Sequence, residues 1–124
     1  MGDSIEPNAE VFNETQALNS VGGDREFLAE IVGLVQAAWP TLLADIRGGM
    51  AMGDLTAVQR ATRLAKAAAR SVAASRAYES ALQLEAVTIR GDLSAAQRAS
   101  ASLEQEVERL QSVLPAFLTA EYSQ

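Results

Sequence analysis

Between Arg60 and Arg70, cations recur at steps of three and four: Arg60, Arg63, Lys66 and Arg70, with Ala67 set among them. On a helix this spacing gathers all five on one face. A guanidinium stays protonated, donates hydrogen bonds and has no free lone pair, so it recognises carboxylates and phosphoryl oxygens but cannot attack them. The chain has no histidine and no cysteine. That removes the commonest general base, the commonest metal ligand, the phosphoaccepting imidazole, every thiolate and every disulfide. Carboxylates are plentiful: Glu26 and Glu30, Glu79, Glu85, and Glu104, Glu106 and Glu108. The last three are two apart, so neighbours point in different directions on a helix. A di-metal helical site needs Glu-x-x-His pairs, which this chain cannot form. No catalytic residue, metal site or cofactor is expected, and the chain does not read as an enzyme.

Charge is unevenly spread. Residues 54–76 hold five basic side chains and one acidic, a net of +4. The whole chain has 10 basic and 16 acidic residues, a net of −6, so everything else sums to −10. A positive stripe on an acidic protein points to a negatively charged partner. The overall balance argues against nucleic acid. No apolar run approaches the ~20 residues needed to span a bilayer, so no membrane association is expected. The polar, acidic start MGDSIEPNAE is not a signal peptide, and a cytoplasmic location is the default expectation.

The elements that must position the basic stripe follow from periodicity. At 124 residues the chain suits one domain with one core. Aromatics are only 5%, so alanine, leucine and valine must fill that core, which favours helices over sheets. Residues 1–7 read as a flexible leader. A short helix over 8–18 would lay Val11, Phe12 and Leu18 across a larger body. The turn Asn19-Ser-Val-Gly-Gly23 precedes a helix capped by Asp24, with the stripe Phe27, Ile31, Leu34, Ala38, Leu42 and Ile46 running to about Arg47. Pro40 should bend that helix. Trp39 reads as a cap on the core, with an exposed partner contact as the alternative. Gly48 to Gly53 ends the helix and turns the chain.

Asp54 caps the helix 54–74, whose apolar side is Leu55, Val58, Thr62, Ala65, Ala69 and Val72. Ser75 reads as the next N-cap, before a helix from Arg76 to about Arg90 whose apolar face, Tyr78, Leu82 and Ile89, should be at least partly buried. Gly91 ends it. Asp92 or Ser94 caps the last helix, whose stripe is Leu93, Ala96, Ser100, Leu103, Val107, Leu110, Leu114 and Phe117. A flexible tail is expected over 119–124. The fold expected for 8–118 is an all-α, antiparallel up-down-up-down four-helix bundle with a short extra N-terminal helix.

This arrangement resembles the histidine-containing phosphotransfer (HPt) domains of bacterial phosphorelays over about residues 10–118. The stretch Val21-Gly-Gly-Asp-Arg-Glu-Phe-Leu28 is similar to the family's Gly-Gly-Asp start to its first long helix. Gly53-Asp54-Leu55 is similar to the start of the helix that bears the active histidine. Leu84-Glu85 followed by Gly91-Asp92-Leu93 resembles the last hairpin. The family's signature is Ala-His-x-Leu-Lys-Gly, then small residues. Aligned on the small-residue ending, its histidine falls on Arg63, its lysine on Lys66, its core leucine on Ala65 and its glycine on Ala67. A register shifted by one would put Thr62 at the site, but it would turn a core residue outward and lose the Lys66 match.

The resemblance implies a docking surface for a response-regulator receiver domain, free or within a hybrid histidine kinase. The sequence denies the reaction, because Arg63 replaces the phosphoacceptor. The reading that follows is a pseudo-phosphotransfer domain, monomeric or weakly dimeric, that binds a receiver through Arg60, Arg63, Lys66, Ala67 and Arg70. Three alternatives stand beside it: cations that simply balance acids on neighbouring helices, a structural or dimerisation module, and an active HPt domain altered at its histidine. The departures at Ala65 and Ala67 favour a natural loss over the last.

Overall fold

The computed structural model describes residues 9–122. It is all-helical, with no strand among the described residues. The elements are α1 (Glu14–Ser20), α2 (Arg25–Met52), α3 (Leu55–Ser71), α4 (Ser75–Ile89) and α5 (Leu93–Tyr122). The expected leader over 1–7 lies outside the described residues, as does the end of the expected tail. In the described part of that tail the helix continues, since α5 runs to Tyr122.

The long helices pack α2 on α3, α3 on α4, α4 on α5 and α5 back on α2, closing a ring around one core. One turn device serves all four connections. A residue with positive φ ends each helix: Gly22, Gly53, Ala73 and Gly91. The amide that follows it bonds five residues back, as Asp54 N to Gly49 O at 2.8 Å and Asp92 N to Val87 O at 3.2 Å. This satisfies carbonyls that the helix end would otherwise orphan. The next helix then starts on an aspartate: Asp24, Asp54 and Asp92 accept from Phe27 N, Ala57 N and Ala95 N.

The α3–α4 turn is the exception on both counts. Its left-handed residue is an alanine, Ala73 at φ 53°. Its N-cap, Ala74, has no side-chain acceptor. The expected Ser75 cap does not form. Instead the N-terminal segment crosses the turn: Glu10 O accepts from Arg76 N at 3.0 Å and from Ser75 Oγ at 3.2 Å, while Asn13 N donates to Ala73 O at 3.1 Å. A distant backbone carbonyl thus does the work of the missing cap. Phe12 anchors this strap edge-on against Phe117.

Two apolar stripes differ from expectation. In α2 the buried residues are Leu28, Val32, Val35, Trp39, Leu42, Ile46 and Gly49, while Phe27 and Leu34 are exposed. In α4 they are Ala77, Ala81, Leu84 and Thr88, while Ile89 and Leu82 lie outside. The stripe of α5 is buried as expected from Ala96 to Phe117, with Leu93 at the rim. Trp39 is inside the core. On length and hydropathy α2 is apolar enough to cross a membrane, contrary to the sequence reading. Its buried third supplies a large share of the core.

Nor does Pro40 end α2, which runs through it unbroken. Proline cannot donate to the carbonyl four residues back, that of Gln36. Gln111 of α5 replaces the lost donor, its Nε2 bonding Gln36 O at 3.1 Å. Gly48 and Gly49 also lie inside this helix, which ends at Gly53 rather than near Arg47.

Candidate functional site

The basic face sits on α3, and the sequence places it there in three steps. Gly53 closes α2, Asp54 opens α3, and Val58, Ala61, Thr62, Ala65 and Ala69 turn inward. Thr62 is fully buried and donates from Oγ1 to Val58 O at 2.7 Å. Arg63 faces solvent. Of the two adjacent residues Thr62 and Arg63, only Arg63 lies on the surface.

The five predicted residues share the outer side of α3, but they are not equally free. Lys66 Nζ meets Glu85 Oε1 of α4 at 2.6 Å, in a pair whose side chains are only 22% and 15% exposed. Arg63 Nε approaches the other oxygen of the same carboxylate at 3.6 Å while keeping most of its side chain in water. Arg70 Nη2 donates to the Tyr78 hydroxyl at 2.7 Å, with its guanidinium 5.0 Å from that ring's centroid. Arg60 has no ion-pair partner among the described residues. Ala67 is exposed between them. The neighbouring helix therefore balances Lys66 in full and Arg63 in part. Arg60 and the outer edge of Arg63 remain to meet something else.

Two features of this surface escaped the sequence reading. Leu64, 56% exposed, lies among the cations. It stands four residues after Arg60 and three before Ala67, so the same step rule reaches it. An open groove of about 550 Å³ also runs between α2 and α3, lined by Ala44, Asp45, Gly48, Met52, Arg60 and Leu64 among others. Finding it requires the true register of α2, which periodicity did not supply.

The face presents hydrogen-bond donors of the kind that meet anions. Its donors are guanidinium and ammonium, and the nearest carboxylate, Glu85, is committed to Lys66. Among the described residues no group of three or more acidic side chains is placed to hold a metal ion. The most polarised cluster lies elsewhere. Arg76 grips Glu106 of α5 through two bonds of 3.0 and 3.1 Å, which holds that carboxyl below its ordinary value against the opposing effect of burial. Arg109 adds a 3.5 Å contact to the same carboxylate. This is a clamp between helices, remote from the basic face. Compared with known proteins, the chain matches no protein-family model, no curated protein and no solved structure.

Proposed function

We propose that this chain is a pseudo-phosphotransfer domain: an HPt-like bundle that docks a response-regulator receiver domain on α3 without accepting its phosphoryl group. On this reading the four long helices run up-down-up-down and antiparallel, as their short turns and ring of contacts suggest. The partner is a cytoplasmic receiver, free or part of a hybrid histidine kinase. The observation that carries the reading is Arg63. It stands outward where the family resemblance puts the histidine, its side chain 64% exposed, with Arg60 and Ala67 exposed beside it. A receiver's phosphorylation pocket is acidic, and a guanidinium meets carboxylate or phosphoryl oxygens with paired donors. Without a lone pair it returns nothing. Binding would compete with an active phosphotransfer domain or hold a receiver in place.

The test is an NMR titration of the labelled protein with receiver domains from the same organism, with and without a phosphoryl mimic. Shifts are expected at Arg60, Arg63, Lys66, Ala67 and Arg70. Arg63→Glu should weaken binding about tenfold or more, since it opposes acid to acid. Absence of binding by every receiver at concentrations on the order of tens of micromolar overturns the reading.

A further inference from the structure

The outer face of α2 is untouched by that reading, and its composition is unusual for a surface. From Ile31 to Ala44 the helix carries no charged residue. Leu34, Ala37, Thr41, Ala44, Gly48 and Met52 follow at steps of three and four, and all are exposed. Leu34 is 72% and Met52 83% accessible. At its C-terminal end this stripe opens into the groove against α3, where Leu64 adds a further exposed apolar side chain. Besides Asp54, which caps α3 by accepting from Ala57 N, the groove holds two opposite charges on facing helices, Asp45 of α2 and Arg60 of α3. Neither has an ion-pair partner among the described residues.

We propose that this face binds a second copy of the same chain about a twofold axis, with Arg60 of each copy meeting Asp45 of the other. A twofold contact joins a patch to itself, so any charge it holds must be answered within the same patch. With Asp54 engaged as the cap of α3, Arg60 and Asp45 meet that condition, one cation and one anion without ion-pair partners among the described residues on opposite walls. A purely acidic partner would satisfy Arg60 but face Asp45 and Asp54, and a basic partner would meet the reverse conflict. Two copies of net charge −6 repel each other over most of their surfaces. The uncharged stripe is where that repulsion is least and apolar surface is most available for burial.

The inference does not rest on receiver binding, and the experiment separates them. Sedimentation equilibrium of the full chain, from micromolar to millimolar, should show a mass rising from one copy to two. Leu34→Glu, at a position with little to lose in folding, should hold the mass at one copy. Asp45→Arg and Arg60→Asp should each weaken association about tenfold, and the double exchange should restore it. Arg63→Glu, which should weaken receiver docking about tenfold or more, should leave the mass profile unchanged. A single-copy mass at every concentration overturns the proposal. A dimer that survives Leu34→Glu, or one that the double exchange fails to recover, overturns it as well.

Discussion

Gly48 and Gly49 are neighbours in α2 with opposite requirements. A methyl group at Gly48 would meet nothing within 4 Å, whereas at Gly49 it would lie 2.7 Å from Val58 Cγ2 and 3.1 Å from Val58 N. Valine is held to one χ1 well in a helix, and backbone cannot step aside. Gly48→Ala should therefore raise stability by about 0.5–1 kcal/mol, because alanine loses less backbone entropy. At Gly49 the same gain is outweighed by overpacking of about 1–3 kcal/mol, so Gly49→Ala should be destabilising. Urea unfolding at low protein concentration reads both signs. The pair also shows what residue-level reading reaches. Two adjacent glycines resemble a turn, and only the packing of α3 on α2 reveals that both are helical and one is a contact point. Arg63 was legible for the opposite reason. It belongs to a face whose inner side, Val58 to Val72, has an unambiguous stripe. What that stripe could not reveal was Glu85, because pairing across to α4 depends on how that helix is rotated.

At the scale of elements, rotation is where the sequence is ambiguous. Residues 31–44 of α2 are uncharged all round, so two stripes one residue apart satisfy the period equally well. The fold buries Leu28, Val32, Val35 and Trp39, leaves Ile31 and Ala38 partly buried against the core and exposes Phe27 and Leu34, and the two stripes merge at Leu42. In α4 Tyr78 is partly buried as expected, but Leu82 and Ile89 misled. Ala77 and Ala81 are inside with Ala65 and Ala69 of α3, a seam of small side chains that lets two helices lie close. The stripe of α5 has a single solution and was read correctly from Ala96 onward. The continuity of α2 past Pro40 depends on an element far away in sequence, since Gln111 supplies the donor that proline lacks. Removing it by Gln111→Met should cost about 0.5–1.5 kcal/mol, the net worth of a part-buried hydrogen bond. In a Pro40→Ala background the backbone amide returns, and the same substitution should cost less. A thermal-unfolding double-mutant cycle should give a coupling of at least about 0.5 kcal/mol.

For the molecule as a whole, ring closure depends on ties between helices that touch late in the chain. Arg76 joins α4 to Glu106 of α5 and reaches Glu10 of the strap at 3.5 Å. Glu106 is held below its ordinary value of 4.5, chiefly by its hydrogen bonds to Arg76. A carboxylate with a lowered folded pKa stabilises fully above its unfolded value and loses that contribution as pH falls through the folded one. Melting temperature should therefore decline as pH drops below 4.5, and Glu106→Gln should flatten part of that decline. The strap itself sets an order of events during synthesis. Glu10 and Ser75 are 65 residues apart, so the carbonyl that seats the start of α4 is made long before its partner exists. At typical ribosomal speeds the early segment waits roughly 3–13 s before it can dock. Until then α2 and α3 can pair through their own turn, but α4 has no seated beginning. The nascent chain therefore passes through a stage in which α2 and α3 are paired with their inner faces open, and the ring closes only after α5 has emerged.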